Sequence, residues 1–121
     1  MNVNIISKSN VKGEVLDLLA KELPAILSGV LEIAGGKLAV LKPEQVSIAF
    51  SEASPRDVGQ DIRILVLARI NEHRVRAKNV HAGEILEKVV ALISGSGVEY
   101  SVNVRLYFTE IGMAQHLPGA E

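Results

Sequence analysis

Cysteine and tryptophan are both absent from the chain. Without cysteine there is no disulfide scaffold, no thiolate metal ligand, no redox pair and no thiol nucleophile. The aromatic residues are two phenylalanines and two tyrosines, Phe50, Tyr100, Tyr107 and Phe108, too few for a platform on which nucleobases stack. Neither sign of charge dominates. Thirteen basic against 14 acidic residues leave a net charge of −1, without the basic excess expected of a nucleic-acid binder. No apolar run approaches the ~18 residues of a membrane span. The opening residues, MNVNIISKSN, lack the basic-then-apolar layout of a secretory signal. These absences predict a protein that engages neither nucleic acid nor membrane, with the cytoplasm as the expected compartment.

What is present is a chain of 121 residues, 48% hydrophobic and 22% charged. That length suits one domain able to bury a core without staples. The mean hydropathy of +0.26 is high for a small protein. The surplus apolar surface has to be hidden, and burial between copies of the chain is the expected route.

Residues 3–7 read as a strand, with Ser9 and Asn10 as caps for the helix after it. Apolar residues then recur with helical spacing at Val15, Leu18, Leu19, Leu23, Ile26, Leu27, Val30 and Leu31. Pro24 should kink this helix or start a second one, and Gly35-Gly36 should end the segment. Residues 46–51 alternate as a half-buried strand. Ile62 to Ile70 is nearly continuous in apolar residues, as in a strand buried on both faces. Asn71 to Lys78 reads as a polar, basic connection, and Asn79 as the cap of a second helix that Gly95-Ser96-Gly97 stops. Residues 101–109 form the last strand.

The order is strand, helix, strand, strand, helix, strand. It predicts an α/β fold of two pseudo-symmetric βαβ units, residues 1–60 and 61–121, in a four-stranded mixed sheet with two helices on one face. Short matches at offsets of 58 residues (Val46-Ser-Ile-Ala-Phe-Ser-Glu with Val104-Arg-Leu-Tyr-Phe-Thr-Glu) and 59 residues (Asn2-Val-Asn-Ile-Ile with Asp61-Ile-Arg-Ile-Leu) favour an internal duplication. A ferredoxin-like βαββαβ sandwich has the same element order.

Several local patterns carry little chemistry. His73, His81 and His116 are too scattered for a metal site. Ser9-Asn-Val-Lys12 matches a serine–lysine spacing without the other motifs that chemistry needs. Arg74, Arg76 and Lys78 are more informative. They precede a helix, where cations oppose the helix dipole. They read either as a fork for an anionic ligand or as a solvated basic loop. Arg105 and Tyr107 are two apart on a strand and share a face. They read either as a substrate clamp or, for Arg105, as half of a pair with a cross-strand acid such as Glu52.

In the order and spacing of its motifs the chain resembles the tautomerase superfamily. Val104-Arg-Leu-Tyr-Phe-Thr-Glu-Ile is similar to the Val-Arg-Val-Ile-Ile-Thr-Glu-Met strand of 4-oxalocrotonate tautomerases. Ala82-Gly-Glu-Ile-Leu86, and Arg74 eight residues before it, resemble the 5-carboxymethyl-2-hydroxymuconate isomerase branch, as does Leu18-Leu-Ala-Lys-Glu-Leu-Pro24. Lys42-Pro-Glu-Gln45 is similar to a segment of the macrophage migration inhibitory factor branch. The resemblance spans essentially the whole chain.

It implies a homotrimer with helices outside a core of sheets, no cofactor and no metal. It also implies a site for small unsaturated or keto–enol carboxylic acids. By position, Arg74 and Arg105 match the arginines that hold substrate carboxylates in that family, and Lys42, Ile70 and Tyr107 complete the expected substrate-binding set. The family's base is an amino-terminal proline. Here Asn2 stands in its place, preceded by Met1, which the bulk of Asn2 is expected to retain. Asn2 has no titratable group. Met1 offers a primary amine, which serves as a base only where a pocket lowers its proton affinity. The chain thus reads as a tautomerase- or isomerase-like protein that acts on or binds such acids, or as a non-catalytic oligomeric relative.

Overall fold

β1 (Asn2–Ser7) alternates buried and outward residues, with Val3, Ile5 and Ser7 turned inward. The structure is a computed structural model that describes residues 1–31 and 42–119. From β1 the chain passes through a turn at Ser9 and Asn10 into α1 (Gly13–Leu31). A 3₁₀ turn at Pro43–Gln45 leads into β2 (Ser47–Glu52), and β3 (Ile62–Arg69) comes next. Then come a short helix α2 (Glu72–Arg76), the long α3 (Lys78–Ile93) and β4 (Val102–Thr109).

The sheet order is β2-β1-β3-β4. β1 runs parallel to β2, β3 runs parallel to β4, and β1 and β3 meet antiparallel at the centre. Each β-α-β unit therefore pairs its own two strands directly. The ferredoxin-like alternative, a split unit with a strand between those two, is excluded.

One face of the sheet is packed by helices. α1 buries Val15, Leu19, Leu23, Leu27 and Leu31, a stripe four residues apart. α3 buries Ile85, Val89 and Ile93. Both stripes close on Val3, Ile5, Ile62, Ile64 and Val66. Each such side chain contributes about 2 kcal/mol of hydrophobic stabilisation, so this layer is the principal source of stability.

Four local expectations change. β3 is buried on one face only: Ile62, Ile64, Val66 and Ala68 point into the core, whereas Leu67 and Arg69 are exposed. Among the described residues helices cover a single side, so the apolar run has only one partner layer. α1 starts later than a cap at Ser9 or Asn10 would set, and of the two outcomes expected at Pro24 the start of a second helix does not occur, since the proline lies inside α1. Asn79 lies inside α3, whose N-cap is Ala77 without a side-chain bond. The basic connection before α3 is itself helical, as α2. The expected stop at Gly35-Gly36 lies outside the described residues. Gly97, at φ 81°, adopts the left-handed conformation after the 3₁₀ turn at Ser94–Ser96 and ends the second helical segment as expected.

The strand registers also bear on the internal repeat. Asn2 pairs with Ser47, 45 residues on, whereas Ile62 pairs with Val102, 40 residues on. The two sequence matches, at offsets of 59 and 58, would require steps differing by one residue. They therefore do not both join structurally equivalent positions, although the inward and outward phases are kept.

Candidate functional site

The antiparallel contact of β1 with β3 brings the start of β1 beside the end of β3. Ser47, Asn2, Leu67 and Tyr107 form one row across all four strands. Directly paired residues share a face, and this row is exposed on the side away from the helices. Ala49, Asn4, Leu65 and Arg105 form the next row, and Ser51, Ile6, Arg63 and Asn103 the one after. Arg105 and Tyr107 do share a face, as their spacing predicts.

The Met1 end is tied together by backbone. The Met1 amine donates to the Gln45 carbonyl at 3.4 Å, and the Met1 carbonyl accepts from the Ser47 N–H at 3.0 Å. Gln45 closes the turn that Lys42 opens. Its Oε1 accepts the Lys42 N–H at 2.9 Å, and its own N–H donates to the Lys42 carbonyl at 2.9 Å. The turn thus sets Lys42 near Met1. Ile70 comes directly after β3 at the same sheet end, is half exposed, and donates its N–H to the Thr109 carbonyl at 2.9 Å. Met1, Asn2, Lys42, Ile70 and Tyr107 are therefore gathered at one end of the sheet, with Arg105 one row along.

Arg74 is not part of the exposed row. It is only 8% exposed, and its Nε donates to the Leu31 carbonyl at 3.2 Å. That carbonyl ends α1, where a cation also meets the negative end of the helix dipole. Burial lowers the pKa of the guanidinium from its ordinary value. Arg74 is therefore not part of a solvated loop, and at least its Nε is engaged with α1. Arg76 and Lys78 are exposed.

Arg105 leans along its own strand. Its Nε donates to Asn103 Oδ1 at 3.2 Å. Glu52 cannot be its cross-strand partner, since β2 and β4 are opposite edges of the sheet. Asn103 holds Arg105 and Gln45 closes the Lys42 turn; Gln45 falls within the Lys42-Pro-Glu-Gln45 match, whereas Asn103 does not stand out in the sequence. Asn103 was accessible from the period-two pattern as the residue two before Arg105, and Gln45 from the turn it closes. Arg63 shares the open face. It packs against Gly59 and lies 3.8 Å from Asp57 through Nη2. Among the described residues no group of three or more His, Asp or Glu stands close enough to hold a metal ion. No described helix is long and apolar enough to cross a membrane.

The fold and its exposed sheet face define an α/β protein of paired parallel β-α-β units. Among solved structures, a fused 4-OT wild-type symmetric trimer aligns at a TM-score of 0.66 with 16% identity, covering 97% of this chain and 94% of that one. A fused 4-OT wild-type asymmetric trimer aligns at 0.65 with 13% identity, covering 93% and 92%. A malonate semialdehyde decarboxylase aligns at 0.65 with 8% identity, covering 99% and 93%. No family model matches the chain, and no curated protein matches it in sequence. The chain has the tautomerase fold over essentially its whole length, and the sequence resemblance is borne out at the level of the fold.

Proposed function

We propose that this is a tautomerase-like protein of the tautomerase superfamily, which assembles as a homotrimer and binds small unsaturated or keto–enol carboxylic acids at the Met1 end of its sheet. The observation that carries the reading is the row Ser47–Asn2–Leu67–Tyr107, which sets the head of β1 level with Tyr107 and one row from Arg105. Arg105 supplies the cation for the carboxylate. Tyr107 supplies a hydroxyl beside it, and Lys42 and Ile70 close the end of the sheet. Likeness to the fused 4-OT trimers supports self-association. The exposed face of β3 then lies between copies, which accounts for the high mean hydropathy.

β1 contains no proline, so proton transfer by a secondary amine has no group to perform it. A base at this end would be the Met1 amine or a bound water. A second, non-catalytic reading is favoured by one observation: the Met1 amine is held by the Gln45 carbonyl at 3.4 Å instead of lying free to take a proton.

The test combines a turnover assay on 2-hydroxymuconate- and phenylenolpyruvate-type acids with thermal shift by the same acids. The binding reading expects a shift that Arg105→Ala abolishes. Ketonisation lost with that shift supports an enzyme, and a shift without ketonisation supports the non-catalytic relative. Neither shift nor turnover would sink both. Intact mass of the native protein establishes which amine is present.

A further inference from the structure

A cavity of about 360 Å³ lies at the opposite end of the sheet from Met1, where the parallel strands β1 and β2 both end. It is independent of the Met1 end and of any ligand bound there. Carboxyl ends of parallel strands, where the chain turns away to a helix, are where open α/β sheets leave a crevice for ligands. Here the crevice is bounded by Ser7, the loop from Lys8 to Val11, the first turn of α1 at Leu16, and Phe50 to Glu52 of β2.

Its lining is sorted by chemistry. Val11, Leu16 and Phe50 form an apolar wall, and Phe50, on the edge strand β2, remains 41% exposed. Lys8 brings a cation and Glu52 a carboxylate. Their backbones are neighbours, because Ser7 pairs with Glu52 in register. Among the described residues, however, the two side chains form no ion pair with each other, and Arg63 with Asp57 is the pair within 4 Å. Ser7 is a polar residue only 5% exposed. It lines this cavity.

A cation, an anion and an apolar wall lining one cavity match a molecule bearing both charges and one apolar group. We propose that this cavity binds a small zwitterion of the α-amino-acid type: Lys8 takes its carboxylate, Glu52 its ammonium, and Phe50, Leu16 and Val11 its apolar side chain, while Ser7 meets the polar end. The volume is at the small end of ligand cavities, which suits a single amino acid rather than a peptide. Lys12 does not line the cavity, so the serine–lysine spacing of Ser9 and Lys12 takes no part in it.

Isothermal titration of the full chain with free L-leucine and L-phenylalanine tests the proposal. The expected result is saturable binding, weakened at least tenfold for N-acetyl-leucine and for leucine amide. Lys8→Met and Glu52→Gln each weaken it to the same degree, and Phe50→Ala weakens both ligands. All three residues reach the surface, and circular dichroism checks that the variants remain folded. The absence of saturable heat up to about 10 mM overturns the proposal. So does equal binding by Glu52→Gln, or acetate binding as well as leucine, since either would leave only an adventitious anion on Lys8.

Discussion

The guanidinium Nε of Arg74 donates to the main-chain carbonyl of Leu31 at 3.2 Å, joining α2 to the last turn of α1 across 43 residues of sequence. The arginine that family position marks for a ligand carboxylate is thereby a buried link between the two β-α-β units. Replacing it with alanine strands that carbonyl and opens the space the side chain filled. Arg74→Ala is expected to lose about 2 kcal/mol, the scale of a charge-assisted hydrogen bond. That corresponds to a fall in Tm of roughly 6–10 °C. Arg105→Ala, at an exposed position, should shift stability by no more than about 0.5 kcal/mol while removing carboxylate binding. Thermal unfolding of the two variants in parallel distinguishes an anchor from a ligand residue. Unchanged stability in Arg74→Ala would free that arginine for the site.

Asp61 ties the entry of β3 to the entry of β4 and to the turn after β1. Its carboxylate accepts the Ser101 N–H at 3.0 Å and the Asn10 side-chain amide at 3.4 Å. The Ser101 N–H is the largest cause of a carboxyl pKa held below its ordinary value of 3.8. A depressed carboxyl pKa contributes stability that is present above 3.8 and fades as pH falls through the lower folded value. Asp61→Ala should therefore lower Tm at pH 7, and the gap from the unmodified protein should close on acidification below pH 3.8. Melting curves from pH 7 down to strongly acid buffer measure it. A gap independent of pH would assign the effect to packing alone.

Tyr100 fastens the entry of α1. Its hydroxyl accepts the Lys12 N–H at 3.2 Å and donates to the Asn10 carbonyl at 3.5 Å. Tyr100→Phe keeps the ring and removes both bonds, so the expected loss is about 1 kcal/mol. Amide exchange at Lys12 should quicken in the variant, which hydrogen-exchange mass spectrometry reads locally. Unaltered exchange there would show that the bond is not protective.

Leu67 sits at the centre of the uncovered face, 37% exposed and in line with Asn2 and Tyr107. That face already carries Arg63, Arg69 and Arg105. Leu67→Lys removes apolar contact and adds a like charge. The unmodified chain is expected to sediment as a trimer and this variant as a monomer. A monomeric unmodified protein would refute the assembly.

Much of the fold was legible in the chain itself. Period-two alternation set the inward face of β1, the four-residue stripe in α1 set its buried side, and Gly97 marked the end of the second helical segment. The pairing of Arg105 with Tyr107 on one face also came from spacing. The fate of Arg74 was hidden, because a basic residue before a helix looks the same whether it faces a ligand or the carbonyl of a distant helix. Asn103 was hidden for another reason: its role depends on the direction in which Arg105 leans, which alternation does not encode.

By itself, then, the sequence determined the two β-α-β units, their helical and strand periodicities and the lack of a proline in β1. Those are properties of neighbouring residues, settled by local sterics and by which side chains avoid water. The tertiary structure decided that β1 and β3 meet antiparallel, that Met1, Lys42, Ile70 and Tyr107 come to one sheet end, and that Arg74 reaches the Leu31 carbonyl. Those depend on strand register and on the burial of groups far apart in the chain, where hydrogen bonds must be satisfied in space rather than in sequence.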